Sequence, residues 1–157
     1  MVSDAGRFPD TDDGTLRRLL ERFWAPEQTS GEWCNLEFEV DEDHPAYVPD
    51  SPLFGFLAAR GPASPLVTII AGEEDKPNQL GIQHRAGTKV RRTLVDAGIL
   101  SPSDGRLVQD HPRRGLVVEV PHDTDREAWA RWLLLAMHEL NRSPVTGWVV
   151  WGRLGGG

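Results

Sequence analysis

The sequence predicts an α+β fold in which about three helices pack mainly on one face of a largely antiparallel or mixed sheet of about five to seven strands. Three observations predict this class. Two stretches place large apolar residues at helical spacing, several shorter stretches alternate apolar and polar residues or are rich in β-branched residues, and the two kinds of stretch are mixed along the chain. Helices docked on one face of a sheet would bury both sets of apolar side chains.

Length and composition indicate one domain. The 157 residues can bury a substantial core, and a hydrophobic content of 39% with 26% charged residues is typical of folded proteins. We expect residues 11–154 to form a single globular domain. Residues 1–10 are predicted to be a disordered or frayed N-terminal segment, and residues 155–157 a glycine tail.

The first predicted element is a helix over residues 16–24. Its apolar residues recur at i, i+3, i+4, i+7 and i+8, which places them on one face of a helix. Thr11, Asp12 or Asp13 supplies the cap, and Pro26 ends the helix.

Four strands are predicted next. Residues 33–40 alternate between apolar and polar, which is typical of a half-buried strand with an acidic outer side. Two apolar runs, 54–59 and 66–71, flank the turn-forming segment 61–65 and predict a hairpin. After a charged turn, residues 80–84 form the fourth strand.

The remaining elements alternate between helix and strand. A helix over 90–97 closes at Gly98, and the valine-rich stretch 116–120 predicts a central strand that ends at Pro121. Residues 124–127 read as a capping box for a long helix, and residues 148–154 form the last strand. The long helix carries one continuous apolar stripe, formed by Trp129, Trp132, Leu133, Ala136, Met137 and Leu140.

Charge is distributed unevenly along the chain. Residues 1–79 carry 16 acids and 6 bases, residues 80–115 carry 7 bases and 3 acids, and residues 116–157 carry 4 bases and 5 acids. The basic middle permits local anion binding, and it equally permits ion pairing with the acidic part of the chain. A formal net charge of −7 makes nucleic acid a poor partner, although the clustered bases leave it as a third option with a steep salt dependence.

The first candidate site lies where the strand over 80–84 leads into the second helix. His84, Arg85 and Lys89 surround a glycine turn, and Arg92 lies close by in the sequence. Free amides at the start of a helix favour anions, so the sequence predicts binding of a phosphate or a carboxylate here. The order of glycine, threonine and lysine does not match a nucleotide-hydrolysing phosphate loop.

The second candidate site is a polar cluster before the strand over 116–120. Its members are Asp110, His111, Arg113 and Arg114. Asp110 would orient His111 as a general base, or the two arginines would bind a carboxylate or a phosphate. The same residues are also ordinary turn chemistry, with arginine stems covering the surface of the sheet.

Metals, cofactors and membranes receive no support from the sequence. The single cysteine, Cys34, excludes an internal disulfide framework, and no paired ligand spacing indicates a metal site. We expect no cofactor. There is no apolar run long enough for a bilayer and no signal-peptide pattern at the start, so we expect a cytoplasmic protein without a membrane partner.

Two functions remain open at this point. The first is a non-enzymatic protein-binding or adaptor domain that engages another protein through its sheet or a helical surface. Trp33, Trp148 and Trp151 would form an aromatic patch for this purpose if they leave the core, although core packing is the favoured interpretation of these residues. In outline, a small acidic domain resembles secretion-chaperone or immunity-type proteins. The alternative is a small enzyme or a domain for an anionic or phosphorylated ligand that uses the histidine and arginine residues above. The sequence does not fix the oligomeric state.

Overall fold

The computed structural model describes residues 4–25, 32–49 and 61–154 of the chain. These residues form three helices and one sheet of seven strands, so the α+β class is confirmed. In chain order the elements are β1 (Ala5–Pro9), α1 (Asp13–Phe23), β2 (Trp33–Val40), β3 (Leu66–Ile70), β4 (Asn78–Gln83), α2 (Val90–Asp96), β5 (Arg106–His111), β6 (Gly115–Val120), α3 (Arg126–Leu140) and β7 (Val145–Leu154).

The sheet has the strand order β1-β7-β2-β3-β4-β6-β5, and every neighbouring pair is antiparallel. β3 therefore occupies the middle. The prediction that residues 116–120 form the central strand is wrong in this respect, because β6 lies one strand from the edge, between β4 and β5. Its valine-rich sequence reflects burial of one face and two paired neighbours, which a strand next to an edge strand also has.

One hydrophobic core joins all three helices to one side of the sheet. The predicted stripe of α3 is buried in it, from Trp129 to Leu140. α1 contributes Leu16, Leu19, Leu20 and Phe23. The alternating apolar residues of the inner strands complete the core, including Leu36, Ile69, Leu80, Val118 and Val149.

The two sides of the sheet differ because side chains alternate along each strand. We call the side packed against the helices the helix face and the opposite side the open face. The open face carries the other residues of each strand, and no described helix packs on it. Most of these residues are half-buried or exposed, among them Asn35, Glu37, Leu66, Thr68, Ile70, Gln79, Val117 and Val150.

The N-terminal segment differs from the prediction. Residues 1–10 were expected to be frayed, but Ala5–Pro9 form the edge strand β1, which pairs with β7. Only Phe8 of this strand is buried, so side-chain pattern gives little sign of it. Backbone pairing holds it, and it continues outward to Asp4, whose carbonyl accepts a hydrogen bond of 2.7 Å from the Arg153 amide. Residues 1–3, the strand expected over 54–59 and the glycine tail lie outside the described residues.

The cap of α1 agrees with the prediction from the sequence, and the cap of α3 differs from it. The carboxylate of Asp12 accepts hydrogen bonds from the Thr15 amide at 3.0 Å and the Thr15 hydroxyl at 2.7 Å, as expected for a cap of α1. These hydrogen bonds lower the pKa of Asp12. In α3 the cap is Asp125, which accepts from the amides of Glu127 and Ala128, and not Thr124.

Thr124 has different partners. Its hydroxyl donates to the carboxylate of Asp104 and accepts a hydrogen bond of 2.8 Å from the indole N–H of Trp129. Asp104 also accepts from the same indole at 3.2 Å. Thr124 therefore joins the turn before β5 to the first turn of α3, and its hydroxyl is not available to cap the helix.

No described helix combines the length and the apolar character that a membrane crossing requires.

Candidate functional site

The structure places Asp110 and His111 in strand β5 and not in a loop. The carboxylate of Asp110 accepts hydrogen bonds from the amides of Val90 at 3.2 Å and Arg91 at 3.1 Å. These are the first amides of α2. The residue that precedes this helix, Lys89, has a φ of 54° and makes no capping hydrogen bond through its side chain. Asp110 therefore caps α2 from a neighbouring strand and occupies the amides that the sequence offers to an anion.

His84 is buried at the end of β4 on the helix face. Its Nδ1 accepts a hydrogen bond of 3.1 Å from the Ala86 amide, so Nε2 carries the proton of the neutral ring. Nε2 has no hydrogen-bond partner in the described part of the chain. Burial lowers the pKa of His84, the charge of Asp110 opposes this, and the charge of Arg142 lowers it further. The imidazole is therefore held in its neutral form near neutral pH.

Arg85 braces a loop. Its Nε donates a hydrogen bond of 2.9 Å to the carbonyl of Gly61, which comes shortly before β3. Gly61 itself approaches the backbone of His84 so closely that a Cβ would overlap the His84 carbonyl. The Arg85 side chain and the His84 backbone thus contact Gly61 at the end of β4, while Lys89 is exposed.

The turn between β5 and β6 contains the remaining candidates. Nδ1 of His111 accepts hydrogen bonds from the amides of Arg113 at 3.1 Å and Arg114 at 3.3 Å. Asp110 and His111 thus have separate hydrogen-bond partners, and neighbouring strand residues face opposite sides of a sheet. The expected orientation of His111 by Asp110 does not occur here. The structure brings Asp110 to α2 and into the electrostatic range of His84, whereas His111, Arg113 and Arg114 form a turn.

Metal ligands do not cluster in the described ranges 4–25, 32–49 and 61–154. No three histidine, cysteine, aspartate or glutamate side chains there are arranged to hold an ion. Cys34 is a free, buried thiol, and its burial raises the pKa to about 12.

The open face presents an apolar patch that the candidate residues do not include. Trp33, Ile70 and Leu154 are neighbours across three adjacent strands, because Trp33 pairs with both Ile70 and Leu154. Their exposed fractions are 37%, 38% and 46%. Trp148 lies on the same face towards the other end of β7, beside Pro9 and under the Arg7 guanidinium at 4.0 Å.

The three tryptophans do not form one patch, because Trp151 packs against the core, whereas Trp33 and Trp148 lie on the open face. Trp151 pairs with Leu36 and Gly6 on the helix face, where its ring meets Phe23 edge-on at 6.4 Å. The alternation of side chains along β7 puts Trp148 on the open face and Trp151 on the helix face. A signal for the actual patch was the presence of large apolar residues at outward positions of β2 and β3, where polar residues are usual.

A hollow adjoins this patch. It has a volume of about 170 Å³, and its lining includes Glu37, Leu66, Val150, Gly152 and Leu154. Gly152 contributes to the space because a Cβ at this position would meet no atom within 4 Å. We call the hollow and the apolar patch beside it the open-face surface.

Glu37 is a carboxylate on the wall of the open-face surface. Glu37 pairs across the sheet with Leu66 on one side and Val150 on the other, and desolvation raises its pKa. Other acids of this face are matched, since Arg7 lies 4.0 Å from Glu39, and Arg106 forms an ion pair with Glu119. Glu37 has no ion pair among the described residues.

The sequence matches no family model, and no curated protein or solved structure is significantly similar to this chain.

Proposed function

We propose that this protein is a non-enzymatic binding or adaptor domain, of a chaperone-like or immunity-like kind, that holds another protein on its open-face surface. The observation that carries the proposal is the row formed by Leu154, Trp33 and Ile70, exposed across three strands beside a hollow. Contiguous exposed apolar surface bordered by polar groups is typical of protein-binding sites. A cytoplasmic location is part of this proposal.

The surface favours a partner segment with both apolar and basic side chains. The hollow at Gly152 has room for an apolar side chain of the partner. Glu37 lies on its wall without a cation, so a lysine or arginine of the partner would both neutralise and desolvate it. An acidic or purely polar segment would neither fill the hollow with an apolar side chain nor neutralise Glu37.

A small anionic ligand at His84, Arg85, Lys89, Asp110, His111, Arg113 and Arg114 has less support. Asp110 already uses the α2 amides, and the imidazole of His84 is buried. The exposed cations that remain lie in two separate turns.

The test is affinity capture with immobilised wild-type protein and three single variants, followed by mass spectrometry. Ile70→Lys puts a charge into the open-face surface, and Glu37→Lys reverses the charge at the wall of the hollow. Leu100→Lys is the control, because Leu100 is 68% exposed on the helical side of the molecule. We expect a retained partner to be lost with Ile70→Lys, reduced about tenfold or more with Glu37→Lys, and kept with Leu100→Lys.

Two results would contradict the proposal. One is a partner that Ile70→Lys retains as well as the wild-type protein does. The other is the absence of any specifically retained protein, together with a strictly monomeric mass at all concentrations in light scattering.

A further inference from the structure

A second cavity lies on the other side of the sheet, between α2, α3 and the strands β5 and β6. It consists of an inner chamber of about 40 Å³ and an outer groove of about 340 Å³. Ile99 and Trp132 line both parts, so the two adjoin. We call them together the helix-side cleft. Most residues that line the inner chamber are apolar, among them Leu94, Val95, Leu107, Leu116 and Val118, and Arg91 and Ser101 add polar groups.

The indole of Trp132 has an unused donor. Trp132 is only 5% exposed, and its Nε1 has no hydrogen-bond acceptor in the described part of the chain. The neighbouring Trp129 shows the usual arrangement, since its Nε1 donates to Thr124 and Asp104. Buried indole N–H groups normally find an acceptor, and an unmade hydrogen bond at such a group is unfavourable.

Arg91 brings a positive charge to the same cleft. It is an exposed residue and is among those that line the inner chamber. Its backbone amide is bound by Asp110, but its guanidinium has no ion pair within the described ranges. The other nearby arginines are matched: Arg92 lies 3.8 Å from Asp96, and Arg131 lies 3.0 Å from Glu127.

We propose that the helix-side cleft binds a small monocarboxylate with a short apolar tail. The carboxylate meets Arg91 at the inner chamber, and the apolar tail extends past Ile99 and Trp132 into the outer groove. In the described lining of the cleft, Arg91 is the one cation without an ion pair, and a single positive charge favours a monoanion over a phosphate dianion, which needs more than one positive partner. The apolar walls exclude a fully polar acid. This site is independent of the open-face surface.

The experiment is a titration of ¹⁵N-labelled protein with sodium hexanoate at neutral pH, and in parallel with hexan-1-ol. The readout is the indole N–H resonance of Trp132, identified by its loss in Trp132→Phe. We expect a saturable shift of this resonance with hexanoate, and binding of hexan-1-ol about tenfold weaker, because the alcohol has the tail but no charge.

Two matched variants test whether Arg91 is the cation that binds the carboxylate of hexanoate. Arg91→Gln is expected to weaken hexanoate binding about tenfold and to leave hexan-1-ol unchanged. Arg113→Gln removes an equal charge from the β5–β6 turn and should leave the affinity for hexanoate unchanged. If both variants lose the same amount of hexanoate affinity, the proposal is overturned, because the net positive charge of the surface and not Arg91 would then attract the carboxylate.

The cleft itself is tested by Val95→Phe, which enlarges a partly exposed wall residue. A urea unfolding curve establishes that the variant is folded. We expect hexanoate to lose its effect on Trp132, whereas Ile70→Lys, on the open face, keeps it. An unmoved Trp132 resonance in the wild-type protein at about 10 mM hexanoate, or undiminished binding by folded Val95→Phe, would overturn the proposal. If Val95→Phe does not fold, the comparison of Arg91→Gln with Arg113→Gln still tests the proposal.

Discussion

At the scale of single residues, His84 is a buried base that the fold keeps neutral. Its pKa is lowered from the ordinary value of 6.5, chiefly because burial disfavours the charged ring. As the pH falls below about 6.5, the unfolded chain binds a proton at this residue before the folded protein does. The free energy of unfolding should therefore decrease as the pH falls through this range, until the lower folded pKa is reached.

The measurement is urea unfolding at pH 7.5 and pH 5.5. His84→Asn keeps an acceptor for the Ala86 amide and removes the titrating ring, so we expect its stability to change less between the two pH values than that of the wild-type protein. His44→Asn is the control. His44 accepts the Ala46 amide at 3.0 Å in the same local arrangement but is exposed. If both variants keep the wild-type pH dependence, His84 is not responsible for it.

Trp132 allows a second prediction at this scale. Its ring is buried in the stripe of α3 and meets the ring of Trp129 edge-on at 5.4 Å. We expect Trp132→Ala to lower the free energy of unfolding by about 3–5 kcal/mol, through lost burial and the space left behind. Leu135→Ala, on the exposed side of the same helix, should cost within about 0.5 kcal/mol. A loss below about 1 kcal/mol for Trp132→Ala would show that the indole does not support the core.

The residue scale also shows where sequence reasoning stops. The burial of Trp132 follows from spacing along one helix, which the sequence displays directly. The use of Asp110 as the cap of α2 joins residues 19 and 20 positions apart, through a turn and a strand. No local pattern predicts that partner, and so the sequence left the α2 amides free for an anion.

At the scale of elements, the start of α3 depends on one carboxylate. Thr124 matches a capping box by type, but it is buried and bound to Asp104, whereas the Asp125 side chain reaches two free amides at 3.0 and 3.3 Å. Sequence spacing identified the helix correctly and placed its cap one residue too early. The competing hydrogen bond from a distant turn is the physical reason.

Asp125→Ala should therefore lower the free energy of unfolding by about 1 kcal/mol, since it removes the acceptor for both amides and a negative charge at the positive end of the helix. Asp123→Ala removes an equal charge from an exposed residue two positions earlier and should be close to neutral. Urea unfolding in low salt measures both. An equal effect of the two variants would mean that general charge, and not the cap, is responsible.

Elements also differ in how clearly the sequence marks them. α1, α3, β2 and β3 show strong periodicity because each buries a complete side of the element. The two edge strands do not. β1 buries only Phe8, and β5 has no fully buried residue, so the sequence predicted a frayed end and a polar turn in their places. Edge strands are held mainly by backbone hydrogen bonds with one neighbour, which leave little trace in residue type.

At the scale of the whole molecule, the sequence predicts the class of fold and the division of the sheet into two sides. It does not predict the strand order, because each pairing joins segments without a local signature. The open-face surface depends on that order: Trp33, Ile70 and Leu154 become neighbours only because β2 lies between β7 and β3. The helix-side cleft likewise requires α2 and α3 to meet over β5 and β6.

The place of β7 also governs when the fold can be completed in the cell. Among the described strands, β1 pairs with β7 alone, and β2 has β7 as one of its two neighbours. On a translating ribosome, β2, β3 and β4 can pair early, but β1 has no partner until residues 145–154 leave the exit tunnel. Until then, nascent chains leave one side of β2 unpaired, and an unpaired strand edge can pair with another chain.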